Sequence, residues 1–213
     1  MNKFSGISAE GVKIDQVHEL TLYPDYFAGF TKGYVAALTR EACPNYQDFM
    51  LQSDIAPLLN TLTVLDLQEP EIARYRFCGS GVIDSTGIDL TGLNLFDLVP
   101  GEGREDLYAD MAAMIAHPCG NFSQHLDLYS NGQSVASESL SLPLRSKASS
   151  PPGLLVTLHA SEWTFLPESK RRAMLNDGDM RIGAEWLQSV FIDIMHGTPG
   201  PTAHQRDQAG NQE

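Results

Sequence analysis

The tightest constraint in this sequence is the Asn131-Gly132 step, which lies between two segments of alternating polarity. This step belongs to a Ser130-Asn131-Gly132 turn and is a strong hairpin signal, so segments 121–129 and 133–145 are predicted to be paired antiparallel strands. Within the second segment, three serines alternate with Glu138 and two leucines, which predicts one wet face and one mostly apolar face. A third and more apolar strand is predicted over 153–163, so this part of the chain is a sheet.

The rest of the chain alternates between strand and helix patterns. β-branched and aromatic residues on both sides of a Gln-Glu-Pro turn predict a second hairpin over 62–67 and 72–77. Apolar residues at three- and four-residue spacing predict helices over about 25–41, 49–59, 104–116 and 179–195. This order of elements defines the α+β class.

Length limits the number of independent cores. A chain of 213 residues with 42% hydrophobic side chains buries one substantial core, so we expect one domain with appendages. The predicted division is an N-terminal extension and flanking helix (1–44), the main domain (45–165), a C-terminal amphipathic helix (166–196) and a disordered tail (197–213).

Charge and cysteine content narrow the partners and the compartment. The formal net charge of −13 repels phosphate backbones and anionic lipid surfaces, so neither nucleic acid nor a membrane is expected as a partner. No apolar run is long enough to cross a bilayer, and the first 20 residues lack the pattern of a secretory leader. Three widely spaced cysteines argue against a disulfide framework, so a cytoplasmic location is expected.

One segment carries a more specific pattern. Residues 73–98 contain an arginine in the second strand, a Gly-Ser step and a Gly-x-Asp-Leu-Thr-Gly turn. This pattern resembles the core signature of a bacterial single-PAS-domain subfamily, and the resemblance covers about residues 45–165. The matching positions are Arg76, Gly79, Ser80, Gly87, Asp89, Leu90, Thr91 and Gly92. The Asp54–Leu59 segment and the Leu142–Leu144 segment also resemble the family.

The resemblance implies a fold and a class of function. It implies a five-stranded antiparallel sheet with short helices on one face, and N- and C-terminal helices flank it here. The implied function is a non-catalytic sensory or adaptor module that acts through contacts with a protein partner, modulated by a small apolar ligand. The alternative is a small α+β cone-fold enzyme of the isomerase or dehydratase type. A His/Asp pair pointing into the cavity would favour the enzyme, and a dry apolar cavity would favour sensing.

Inward-facing apolar residues of the strands and of the 104–116 helix are the candidates for lining a pocket. Their alternative role is to fill the core, because periodicity predicts burial and not a cavity. The candidates are Tyr75, Phe77, Met111, Met114, Ile115, Leu126, Leu140 and Val156.

Neither a metal nor a cofactor is predicted. No two histidines have the spacing that brings imidazoles together on a helix, and no Cys-x-x-Cys occurs. By analogy with haem-binding PAS proteins, His117 is the first candidate for a haem ligand, followed by His125 and His159. Their alternative role is that of surface or capped histidines. Cys78 ends a strand, which differs from the helical cysteine segment of flavin photoreceptors.

The predicted terminal helices raise the question of assembly. Six large apolar residues on the 179–195 helix need a cover, and the 25–41 helix has the same requirement. We therefore expect a homodimer in which a flanking helix crosses the interface. The expected interface residues are Trp186, Leu187, Val190, Phe191 and Ile194.

Overall fold

The computed structural model describes residues 12–38, 41–69, 71–99, 101–147, 150–174 and 179–200. Its helices are α1 (Val17–Leu20), α2 (Pro24–Ala37), α3 (Tyr46–Met50), α4 (Ser80–Thr86), α5 (Leu95–Leu98), α6 (Gly101–Ala116) and α7 (Glu168–Met174). Short 3₁₀ helices span Ile14–Gln16, Ala56–Thr61 and Glu162–Phe165. Its strands are β1 (Val12–Lys13), β2 (Leu62–Glu69), β3 (Ile72–Cys78), β4 (Gly120–Tyr129), β5 (Ser134–Arg145), β6 (Pro152–Ser161) and β7 (Arg181–Asp193).

The strands form one sheet in the order β1-β7-β4-β5-β6-β2-β3. Every neighbouring pair is antiparallel except β1 and β7, which run parallel. The predicted α+β, PAS-like class is confirmed, including both hairpins. The sheet has seven strands in the described ranges instead of the predicted five, because β1 and β7 extend it beyond β4.

Helices cover both faces of this sheet. On the first face, α2 buries Phe27, Phe30 and Tyr34 completely against sheet residues that include Phe122 and Leu140. We call this the α2 face. On the second face, α5 and α6 pack through an apolar cluster of Phe96, Met111 and Met114 with Leu155 and Phe191, and we call it the α6 face. The apolar surface of α2 is therefore covered by the chain's own sheet.

The C-terminal region corrects one prediction. Residues 181–193, expected to be helical, form the longest strand in the sheet and pair with β4 from Gly120↔Ile192 to Tyr129↔Arg181. The pairing satisfies backbone groups along β4 that would otherwise lie at the edge of the sheet. Phe191 and Ile194 are buried in the core as a result. The prediction of a helix over 179–195 is therefore wrong.

Smaller differences concern the ends of elements. The helix predicted over 49–59 is divided into α3 and the 3₁₀ helix at Ala56–Thr61, where Pro57 lacks the N–H that a continuous helix requires. The predicted N-terminal extension and tail fall largely on 1–11 and 201–213, which lie outside the described residues. The domain boundaries remain predictions. Among the helices described here, none is both long and apolar enough to cross a membrane.

Candidate functional site

A cavity of about 50 Å³ lies on the α6 face of the sheet, beside α4 and the 3₁₀ helix at Glu162–Phe165. This volume admits water molecules or a ligand of a few non-hydrogen atoms. Polar and aromatic side chains dominate its wall. They include Thr63, His125, Asp127, Ser137, His159, Trp163 and Arg181.

Strand alternation explains why this wall is polar. The β4 and β5 strands pair without a register shift, so side chains alternate regularly between the two faces of the sheet. Phe122 and Leu140 lie on the α2 face, which places Ser137, Ser139 and Ser141 of β5 on the α6 face. Ser137 and Ser139 are buried and Ser141 is partly buried. The hydroxyl oxygens of Ser139 and Ser123 lie 2.8 Å apart.

Asp127 is the centre of the charged part of the site. Arg181 Nε lies 2.6 Å from its Oδ1 atom, and His125 Nε2 lies 3.4 Å from the same oxygen. The Ser137 hydroxyl donates to Oδ2 at 2.6 Å. Burial by itself would raise the pKa of Asp127, but Arg181, His125 and Ser137 together lower it to about 2. The carboxylate is therefore ionised at neutral pH.

A β-bulge brings Arg181 to this carboxylate. Leu128 pairs with Gly183 and Tyr129 pairs with Arg181, so Ile182 is an extra residue on β7. A bulge changes the face on which the following side chain lies. Arg181 consequently lies opposite Tyr129, on the cavity side of the sheet.

His159 of β6 contributes a neutral ring to the wall. Its Nε2 atom lies 2.9 Å from the Thr63 hydroxyl oxygen of the neighbouring strand. Burial, followed by the charge of Arg181, lowers the pKa of His159 to about 3. The ring is therefore uncharged at physiological pH, and it pairs with a hydroxyl instead of a carboxylate.

Three buried polar atoms of the wall lack a hydrogen-bond partner among the described residues. They are His125 Nδ1, Asp127 Oδ1 and Trp163 Nε1. Asp127 Oδ1 keeps its ion-pair contacts with Arg181 and His125, and the residues His125 and Trp163 are only 4% and 2% exposed. Trp163 stacks against Tyr129 with 4.8 Å between ring centroids, and His125 lies 5.1 Å from the Trp186 ring. A buried polar group without a partner is costly, so this wall is suited to a polar ligand.

The predicted pocket residues are distributed over three places. Tyr75 lines the cavity. Met111, Met114 and Ile115 of α6 pack in the neighbouring apolar cluster on the same face. The other four predicted residues do not line the cavity; they are Phe77, Leu126, Leu140 and Val156. Phe77, Leu140 and Val156 belong to the core on the α2 face, and alternation with His125 and Asp127 places Leu126 there too.

From sequence, His125 and His159 are candidates only as haem ligands, and Asp127 and Arg181 are not among the predicted site residues. The available signal was alternation: His125 and Asp127 are two residues apart on a strand and therefore share a face. His117 lies elsewhere and contacts the His196 carbonyl oxygen at 3.0 Å through Nε2. Within the described ranges, no three His, Cys, Asp or Glu side chains form a metal-binding group. The absence of a cofactor remains a prediction.

The predicted interface residues also separate into two groups. Phe191 and Ile194 are buried and Val190 is partly buried, so these three stabilise the core. Trp186 and Leu187 keep 39% and 43% of their surface exposed. Of the five predicted interface residues, only Trp186 and Leu187, in the middle of β7, are exposed enough to contact a partner.

Comparison with known proteins identifies the class. A sequence profile of the PAS domain matches residues 36–159, which is more than half of the chain. The chain belongs to the PAS domain family. No curated protein matches it significantly.

Several solved structures are similar to the chain at low identity and low TM-score. A LOV protein from Rhodobacter sphaeroides is 15% identical, with a TM-score of 0.38, and the match covers 47% of this chain and 58% of that one. An RNA-binding Light-Oxygen-Voltage receptor is 14% identical with a TM-score of 0.41, over 58% of this chain and 35% of that one. A fungal LOV domain photoreceptor is 18% identical with a TM-score of 0.40, over 66% and 96%. The chain thus spans less than two thirds of the first two proteins.

Proposed function

We propose that this PAS domain is a non-catalytic sensory module whose cavity binds a small polar ligand. Binding of the ligand in the cavity would change the β7 strand, and β7 would contact a protein partner. One observation carries the proposal: Arg181, in the cavity, and Trp186 and Leu187, at the surface, belong to the same strand. A ligand that moves Arg181 relative to Asp127 acts directly on the strand that carries the exposed apolar residues. The polar wall favours a polar ligand over the apolar one expected from sequence.

The outer edge of β7 is the proposed output surface. β1 pairs with β7 only at Ile192 and Asp193, and among the described strands no other one lies on this side of β7. Ile182 is 61% exposed beside this edge, in addition to Trp186 and Leu187. A long edge strand with exposed apolar side chains is a surface on which another strand adds by backbone hydrogen bonding.

A second copy of the chain is the partner that we propose for this edge. Two β7 strands related by a two-fold axis run antiparallel, and the same surface then serves both protomers. Each strand then offers backbone donors and acceptors to the other, and the exposed apolar residues are covered together. The homodimer expected from sequence is retained with a strand in place of the helix.

The dimer is tested by sedimentation velocity on the intact chain at tens of micromolar. We expect a dimer for the wild type and a monomer for the double variant Ile182→Lys, Leu187→Lys. The matched control is Leu51→Lys, because Leu51 is 81% exposed at the end of α3. A monomeric wild type, or a double variant that stays dimeric, contradicts the proposed interface.

Coupling between cavity and edge is tested by two matched serine variants. Ser137→Ala removes the donor to Asp127, whereas Ser139→Ala removes a buried hydroxyl two residues away that bonds to Ser123. We expect the dimer dissociation constant to change at least threefold in Ser137→Ala and to stay unchanged in Ser139→Ala. Equal constants in both variants and the wild type contradict the sensory coupling.

A second candidate function is proton-transfer catalysis, because a His125–Asp127 pair does line the cavity. The PAS family match argues against the cone-fold enzyme considered from sequence. Arg181 lies closer to the shared carboxylate oxygen than His125 does, which favours a binding role for the carboxylate. Hydrolysis of p-nitrophenyl acetate above background that is lost in His125→Gln would support catalysis over sensing.

A further inference from the structure

Three aromatic side chains form a surface patch where the start of α2 meets the 3₁₀ helix at Glu162–Phe165. The ring of Phe165 contacts those of Tyr23 and Tyr26, with 5.0 and 5.2 Å between ring centroids. Phe165 is 52% exposed, and Leu22, which precedes Tyr23 in the chain, is 61% exposed. Large apolar side chains that are exposed together mark an interaction surface, whereas single ones do not. We call the three rings the aromatic patch.

The aromatic patch is joined to the cavity wall at two points. Trp163 and Thr164 line the cavity, and Phe165 is the next residue of the same 3₁₀ helix. On α2, the hydroxyl group of Tyr26 is hydrogen-bonded to that of Thr61, which also lines the cavity. A ligand that moves this part of the wall therefore moves residues that belong to the patch or are bonded to it.

Two exposed carboxylates flank the aromatic patch. Asp25 precedes Tyr26 on α2, and Glu162 begins the adjacent 3₁₀ helix. Burial, followed by the charges of Glu138 and Glu162, raises the pKa of Tyr23, so this ring lies in a negative field. Among the described residues, neither Asp25 nor Glu162 forms an ion pair with a lysine or an arginine. The patch thus combines exposed rings with negative charge that is not neutralised locally.

Resting on the proposed sensory function, we propose that the aromatic patch binds a different protein, through a segment that places an arginine side chain on the rings. A guanidinium group stacks on aromatic rings and pairs with carboxylates, so it complements both features of the patch. A second copy of this chain is unsuited to the patch, because a two-fold contact would bring the same carboxylates together. An anionic membrane surface is unsuited for the same electrostatic reason.

The probe is the peptide acetyl-Gly-Leu-Arg-Leu-Gly-amide, titrated into the full chain and observed by ¹H–¹⁵N NMR. In the control peptide, citrulline replaces arginine, which keeps the size of the side chain and removes its charge. We expect the arginine peptide to shift the Phe165 amide signal in a saturable manner, with a dissociation constant of roughly 0.1–10 mM for so short a segment. The citrulline peptide should bind about five- to tenfold more weakly.

Two pairs of variants locate the contact. Phe165→Ala should weaken binding of the arginine peptide about fivefold or more, whereas Leu51→Ala, at an exposed apolar position at the end of α3, should not. Glu162→Gln should weaken binding about two- to fivefold. Its control is Glu105→Gln, which removes an equal charge from an exposed position on α6 and should leave binding unchanged. All four side chains are exposed, so these variants should keep the fold.

The indole signal of Trp163 reports on the connection between the patch and the cavity. The chain has two tryptophans, so this signal is identified as the one that remains in Trp186→Phe. We expect the peptide to shift it with the same dissociation constant as the Phe165 amide. A shift of the Phe165 amide alone contradicts the connection to the cavity.

Several results would overturn the aromatic patch as a docking surface. They are the absence of a saturable shift, equal binding of the two peptides, and an unchanged constant in Phe165→Ala. A weaker dimer of Phe165→Ala in sedimentation velocity would assign the patch to a second copy. Co-sedimentation of the wild type, but not of Phe165→Ala, with phosphatidylcholine vesicles would assign it to lipid. Peptide binding that succeeds while the serine and dimer experiments fail supports the patch and overturns only the sensory function.

Discussion

Asp127→Asn should destabilise the protein by about 2–3 kcal/mol at pH 7. The side chain of Asp127 is only 13% exposed, and its pKa is lowered from 3.8 to about 2. A difference of about 1.8 pKa units corresponds to about 2.4 kcal/mol of interaction with the ionised form. The variant also leaves the partly buried Arg181 without its counter-charge, which adds to the loss.

The stability lost in Asp127→Asn should depend on pH. Because the pKa in the folded protein is lower than in the unfolded chain, the contribution of Asp127 is complete above pH 5 and is lost as the pH falls towards 2. The difference in unfolding free energy between wild type and Asp127→Asn should fall to about 1 kcal/mol at pH 3 by the same relation. Burial opposes ionisation here, so the ion pair and hydrogen bonds must supply the whole of the shift.

Urea unfolding at pH 7 and pH 3, followed by tryptophan fluorescence, measures both quantities. The control is Glu185→Gln, which removes an exposed carboxylate from the strand that also carries Arg181 and should change stability by less than about 0.5 kcal/mol. A loss below about 0.5 kcal/mol at pH 7 for Asp127→Asn would refute the argument. An unchanged difference at the two pH values would do the same.

Three further predictions each concern a single residue. Glu138→Ala should cost about 2–4 kcal/mol in urea unfolding, because the buried carboxylate accepts hydrogen bonds from the Thr21 hydroxyl and from the next backbone N–H. Gly87→Ala should cost about 2 kcal/mol or more, since Gly87 has a φ of +80° and an added Cβ would lie 2.6 Å from the Asp179 carbonyl oxygen. The His159 ring signals should stay constant in NMR between pH 5 and 8, because the lowered pKa keeps the ring neutral; a midpoint between 6 and 7 would contradict this.

Local sequence patterns predicted the elements in which apolar residues repeat with a single period, either that of a helix or that of a strand. Both hairpins, α2 and α6 follow from turn residues and apolar spacing, and the Gly-x-Asp-Leu-Thr-Gly segment indicated the family. At Gly87 the reason for this motif is visible, because its positive φ ends α4 in a conformation that other residues rarely adopt. Such features depend on a few neighbouring residues, and they can be recognised without knowledge of the tertiary structure.

The site depends on information that local patterns lack. A strand of alternating polarity indicates two faces but not which face is covered, and here helices cover both. Alternation alone predicts that the serine face of β5 is exposed to solvent, but Ser137 and Ser139 are buried there and Ser137 lines the cavity. Alternation places Glu138 with its apolar neighbours, and it does lie on the α2 face, where it accepts a hydrogen bond from Thr21. Only the packing of α4 and α6 distinguishes these faces.

The misassigned strand has a more specific physical cause. β7 contains two extra residues, Ile182 and Leu187, at positions where its register with β4 shifts. Each bulge interrupts the two-residue alternation, so apolar residues from Trp186 to Ile194 recur at spacings of three and four and imitate one face of a helix. Glycine at 183 opposed the helical interpretation, since it weakens a helix and is frequent near bulges. The same irregularity that hid the strand also turns Arg181 towards Asp127, so the pattern that misled the prediction is part of the site itself.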